Sequence, residues 1–96
     1  MIAVLAVMTV KEGNGAEFES LAADLVAKVR ANEEGANLLY QLVRSKTDPN
    51  VYTFMELYRD GDAMKVHAGS DYFQAAFQAM LPLLAGEPKI ELLDAL

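Results

Sequence analysis

The sequence predicts an α+β domain in which two helices cover one face of a four-stranded sheet. Three observations carry that prediction. Apolar, β-branched segments and segments of helical period follow one another in the order β-α-β-β-α-β, the split βαβ arrangement of a ferredoxin-like sandwich. Two helical segments place apolar residues at 18, 21, 22, 25 and 29 and at 73, 76, 77, 80 and 84, one pattern shifted by 55 positions. The identities differ, so the echo is one of structure rather than a sequence repeat. Finally, the boundaries fall on clusters of Gly, Pro, Asp and Asn, the residues that favour turns.

Residues 2–10 are apolar and β-branched and end in Lys11-Glu12-Gly13-Asn14-Gly15, which reads as a strand followed by a turn. From about 15 to 34, Phe18, Leu21, Ala22, Leu25 and Val29 trace one helical face, and Gly35 is placed as its stop. Residues 37–47 and 51–59 read as paired strands around Asp48-Pro49-Asn50. Asp60-Gly61-Asp62 opens a short helix carrying His67. Ser70-Asp71 starts another, with Gln74 three residues beyond Asp71 as a capping box. That helix presents Phe73, Ala76, Phe77, Met80 and Leu84 on one face, with Pro82 kinking its last turn. Gly86-Glu87-Pro88 ends it, and residues 89–96 form the last strand.

Two helices shield one face of such a sheet, yet the strands are apolar on both. The first strand carries Ile2, Val4, Ala6 and Met8 on one side and Ala3, Leu5 and Val7 on the other. The second places Leu38, Tyr40 and Leu42 opposite Leu39 and Val43. An apolar sheet face left in water marks an interface, so a homodimer packed sheet to sheet is expected.

Composition narrows the function. The chain has 96 residues, enough for one domain over 1–96, and is 53% hydrophobic. Its formal charge of −6 and its eight scattered basic residues disfavour nucleic acid, which requires clustered Lys and Arg. There is no cysteine, which removes disulfides and thiolate chemistry. The apolar opening lacks a basic leader and is too short to span a bilayer, so no membrane partner and a cytoplasmic location are expected.

No phosphate-binding glycine loop, His-Glu-x-x-His or Gly-x-Ser-x-Gly occurs, and a single histidine without cysteine makes no standard metal cage, so no metal is expected. Attention falls on the third strand and the helix after it. Tyr52, Phe54, Glu56 and Tyr58 alternate onto one face. Glu56 is an acid amid apolar neighbours and needs a partner or a changed protonation state. It can form a structural ion pair with Arg44, or it can orient His67 as a general base. His67 follows Ala63 and Val66 at helical spacing and faces inward, either as a hydrogen-bonded core residue or as that base. Phe54, Tyr58, His67, Tyr72, Phe77 and Met80 are expected to line a cavity between helices and sheet suited to a flat apolar ligand.

The run Glu34-Gly35…Leu38-Leu39-Tyr40-Gln41-Leu42-Val43-Arg44-Ser45…Asp48-Pro49, with Glu56-x-Tyr58…Asp62-Ala63…His67-x-x-Ser70-x-Tyr72-Phe73, resembles the antibiotic biosynthesis monooxygenase family. The resemblance covers nearly the whole chain and is most specific from Glu56 to Phe73. It implies a dimeric α/β barrel that oxidises a small aromatic, hydroquinone or polyketide-like substrate with O2 and needs no cofactor. It further implies catalytic roles for His67, Glu56 and Tyr72: His67 as base, held by Glu56 or a water, and Tyr72 as proton donor to a peroxide. Phe54, Tyr58, Phe77 and Met80 would bind the substrate. Many members carry Trp in place of Tyr58 and a second His in place of Tyr72. The chain is also similar, through Glu56, Tyr58, Ala63 and His67, to the isomerase that processes phosphorylated autoinducer-2. Haem-degrading relatives use Asn, Trp and His where this chain has Ala6, His67 and Phe77, so haem degradation is not expected. A ligand-binding dimer without turnover is the remaining alternative.

Overall fold

The computed structural model describes all residues, 1–96. Its elements are β1 (Ile2–Thr9), α1 (Gly15–Asn32), β2 (Asn37–Arg44), β3 (Val51–Tyr58), α2 (Gly61–Gly69), α3 (Asp71–Met80) and β4 (Lys89–Asp94). A 3₁₀ turn, Leu81–Leu83, follows α3. The strands form one antiparallel sheet in the order β2-β3-β1-β4, the ferredoxin-like α+β topology. β1, apolar on both faces, is a central strand with neighbours on either side.

Register decides which side chains meet the helices. Val4, Ala6 and Met8 oppose Glu56, Phe54 and Tyr52, and residues directly opposite share a face. That face packs against α1 through Phe18, Ala22, Leu25 and Val29, all buried; the expected Leu21 is only half-buried. The main core cluster joins these residues to Tyr40, Met80, Leu83 and Leu84.

Three local details add to or correct the sequence reading. Leu38, aligned with Tyr40 and Leu42 by alternation, is 50% exposed, whereas Tyr40 is buried. A β-bulge lies between Asn37 and Leu39, so Asn37 opposes Tyr58 and Leu38 is exposed. The cap of α3 is Ser70, whose hydroxyl accepts from the Phe73 amide at 3.3 Å. Gln74 forms no capping box; its amide donates to the Ala68 carbonyl at 2.7 Å. Leu84 lies beyond α3, in extended backbone bridged to Val10, and is buried there. Pro82 sits in the 3₁₀ turn, where its missing amide ends the α-helical ladder.

The sheet face away from the helices is partly uncovered, with Leu39, Val43, Met55 and Leu93 each exposed. On the helix-facing side, β4 lies beyond the helices' cover. Ile90 and Leu92, opposite Ala6 and Val4, are therefore 57% and 61% exposed. No helix is long and apolar enough to cross a membrane.

Candidate functional site

His67 is placed by α2. Asp60 caps that helix by accepting the Ala63 amide at 2.8 Å, and Ala63 and His67, one turn apart, are its buried residues. The imidazole is 3% exposed and sits among the rings of Phe73, Tyr40 and Tyr58, at centroid distances of 4.7, 5.0 and 5.5 Å.

The carboxylate that meets His67 is Glu33, not Glu56. Its oxygens lie 3.0 and 3.2 Å from His67 Nδ1. Glu33 is the C-cap of α1 and is itself 5% exposed. Gly35, at φ +80°, turns the chain so that the amides of Ala36 and Asn37 both close on the Glu33 carbonyl. The same reversal and the β2 bulge bring the Asn37 amide to Glu33 Oε1 at 3.2 Å. The Tyr72 hydroxyl donates to Glu33 Oε2. Asn37, Tyr72 and His67 thus converge on one buried carboxylate and fix its orientation.

A carboxylate only accepts, so Nδ1 of His67 carries the proton and Nε2 of the neutral ring holds a free lone pair. Nε2 is buried and has no hydrogen-bond partner. Burial holds the imidazole below its ordinary pKa, while the bond to Glu33 and its charge pull it back up. The neutral form therefore prevails at pH 7. Burial and the bond to Glu33 push the Tyr72 phenol up to about 12, so it remains a donor.

Glu56 has a different partner from either expected one. Its Oε1 accepts the Tyr58 hydroxyl at 2.5 Å. Arg44 is engaged elsewhere, at 3.4 Å from Glu19 near the α1 surface. Burial lifts the Glu56 carboxyl to about 7; the Tyr58 bond lowers it and the Glu33 charge adds to the rise. This has a consequence for stability. Between its ordinary value near 4.5 and about 7, the folded protein binds more protons at Glu56 than the unfolded chain. Stability from this group is thus lost as pH rises through that window. Glu56→Gln should gain melting temperature relative to wild type between pH 5 and pH 8. A variant that tracks the wild type across that range would contradict the burial of this charge.

Glu56 and His67 both border a cavity of about 300 Å³ between the sheet and helices α2 and α3. Its walls are mostly hydrophobic and include Phe54, Phe77 and Met80, three of the four residues expected to contact a ligand. Tyr58 and Tyr72 are not on the wall. Tyr58 is fully buried behind Glu56, and Tyr72 is turned to Glu33. Tyr40, which sequence reasoning did not select, is on the wall. Its hydroxyl is absent from the bonds to both Glu33 and Glu56, and burial beside those carboxylates raises its pKa, so it stays protonated.

A larger groove of about 570 Å³ lies between α1 and β2, bordered by Arg30 and Arg44. It lies against neither His67 nor Glu56, and its Glu19 carboxylate is taken up by the Tyr52 hydroxyl at 2.6 Å and by Arg44 at 3.4 Å. The smaller cavity is the candidate site.

The family model for antibiotic biosynthesis monooxygenase matches residues 1–79. The chain belongs to this family. A candidate antibiotic biosynthesis monooxygenase from Caulobacter crescentus is 54% identical, with a TM-score of 0.95 over 99% of this chain and 89% of that one. Another structure described as an antibiotic biosynthesis monooxygenase is 25% identical, with a TM-score of 0.92 over 100% and 99% of the two chains. A conserved protein from Methanosarcina mazei is 27% identical, with a TM-score of 0.90 over 96% and 89%. Comparison with curated proteins gives no match.

Proposed function

We propose that the protein is a cofactor-independent monooxygenase acting on a small hydroquinone or related electron-rich aromatic. One observation carries the reading: a neutral histidine with an unpaired ring nitrogen, oriented by a buried carboxylate, borders an apolar cavity in a monooxygenase-family chain. Hydroquinone plus O2 gives hydroxyquinone plus water, which balances without an external reductant. His67 Nε2 takes a phenolic proton, and the electron-rich anion passes one electron to O2. The resulting superoxide and semiquinone radical join through a C–O bond, and the peroxide anion takes the proton held by His67 to give a ring hydroperoxide. Loss of the proton on that carbon and cleavage of the O–O bond form the new carbonyl and release hydroxide, which leaves as water.

The proton for the departing oxygen comes most directly from Glu56, whose carboxyl near 7 exchanges protons at neutral pH. Tyr72, expected as that donor, instead acts as a positioning residue through Glu33. The nearly all-apolar wall disfavours a sugar-like ligand and hence the isomerase reading. Oxygen uptake with a panel of hydroquinones, corrected for autoxidation, tests the proposal. Enzyme-dependent uptake with one hydroxyquinone formed per O2 supports it. Ligand binding without uptake points to a binding dimer.

We further propose that two copies pack sheet to sheet. Leu39, Val43, Met55 and Leu93 give an apolar face no element of the same chain covers. Sedimentation at micromolar concentration should report twice the mass of one chain, and Val43→Lys with Met55→Lys should shift it to monomer. A wild-type monomer would overturn this assembly.

A further inference from the structure

The cavity has unlike ends. Its polar lining consists of Glu56, His67 and one further residue, Lys65, while the remaining walls are apolar. Glu56 and His67 are held inside by their bonds to Tyr58 and Glu33. Lys65, like Ile90 and Leu92, is an exposed residue of the lining, which puts it at the solvent-facing part of the cavity. The helix geometry explains how both can serve one space. Met64, Lys65, His67 and Ala68 share one side of α2, with His67 at one edge of it and the long lysine stem at the other.

Lys65 has no acidic partner. The ion pairs of the molecule are Lys28–Asp24, Arg44–Glu19, Arg59–Asp60 and His67–Glu33. In a chain of net charge −6, the one cation on the cavity wall is thus left free. A volume of about 300 Å³ is at the small end for ligand pockets and suits one or two rings. With a base inside and a free ammonium at the opening, the pocket matches a ligand that has a hydroxyl at one end and a negative charge at the other.

We infer that the ligand is a phenol bearing a carboxylate, with Lys65 pairing the carboxylate at the cavity mouth and His67 facing the phenolic hydroxyl. This rests on the cavity reading given under Proposed function and adds the charge of the ligand to it. Lys65 selects the substrate and takes no part in the electron or proton transfers.

The test compares 4-hydroxybenzoate with 4-hydroxyacetophenone, a neutral analogue of similar shape, by calorimetric titration of the whole protein at pH 6.5. Wild type should bind the acid about 2–5-fold more tightly, the scale of one exposed charge pair. Raising the salt concentration should shrink that preference. Lys65→Met, a helix-compatible change at an exposed position, should abolish the preference, and Lys65→Glu should invert it. Equal binding of the two ligands by wild type, or a preference that survives in Lys65→Met, overturns the role of Lys65 while leaving the aromatic cavity standing. Failure of both to bind wild type overturns the cavity reading and this inference with it.

Discussion

Replacing His67 with alanine should lower hydroquinone-dependent oxygen uptake about 10²–10⁴-fold, the usual contribution of a positioned general base. The substitution removes the only imidazole in the chain and leaves Glu33 with the Asn37 and Tyr72 donors. It also opens space among Tyr40, Tyr58 and Phe73, so some stability is lost along with activity. His67→Gln separates these effects, since an amide can still donate to Glu33 and fill much of the space yet cannot take a proton. Both variants should be slow, and added imidazole should restore part of the rate to the alanine variant alone. The wild-type profile should be bell-shaped. Its acid limb reflects His67 losing its proton below the ordinary imidazole value of about 6.5, and its basic limb reflects Glu56 losing its proton near 7. Equal rates in wild type and both variants would remove His67 from the mechanism.

The fold was legible in the sequence because its signals are local and mutually consistent. Helical spacing at Phe18, Ala22, Leu25 and Val29, alternation at Tyr52, Phe54 and Tyr58, and turn residues between them all specify the same elements. His67 was legible for the same reason, lying one turn from Ala63 on the buried side of α2. Its partner was missed because Glu33 lies past the end of α1 in the polar run Asn32-Glu33-Glu34-Gly35, which reads as a solvated helix end. A signal was present: the stripe Phe18, Ala22, Leu25, Val29 continues one turn further to Glu33, an acid on an apolar face. The choice of Glu56 as that partner followed from its being the conspicuous acid in a strand. Nothing in a strand's alternation says that the hydroxyl two residues along, Tyr58, will take it. Asn37 is harder still, because its orientation depends on a bulge that alternation cannot foresee.

The second large effect is expected at Glu33. In Glu33→Gln the side chain keeps its size, but the amide presents a donor as well as an acceptor. Turned one way, it donates to His67 Nδ1 and drives the ring proton to Nε2, leaving no lone pair for the substrate. Turned the other way, it accepts from Nδ1 but supplies no negative charge to stabilise the imidazolium that forms as the substrate loses its proton. Either outcome lowers kcat, by about 10²–10⁴-fold if the base is disabled, with KM for a neutral hydroquinone little changed. The sign of the pH effect is also fixed. Glu33 raises the pKa of His67 against the opposing pull of burial, so removing the charge moves the acid limb of the residual activity to lower pH. Glu33→Ala should be worse for the fold, because it strands the buried donor of His67, at a cost of about 1–3 kcal/mol, together with the half-buried donors of Asn37 and Tyr72, at a smaller cost. Rate–pH profiles and denaturant unfolding on the same preparations distinguish the two effects. A Glu33→Gln protein that unfolds near wild type, turns over at the wild-type rate and keeps its acid limb in place would show that Glu33 only fills space. A folded protein with a slowed rate and a shifted limb would show that Glu33 orients the base.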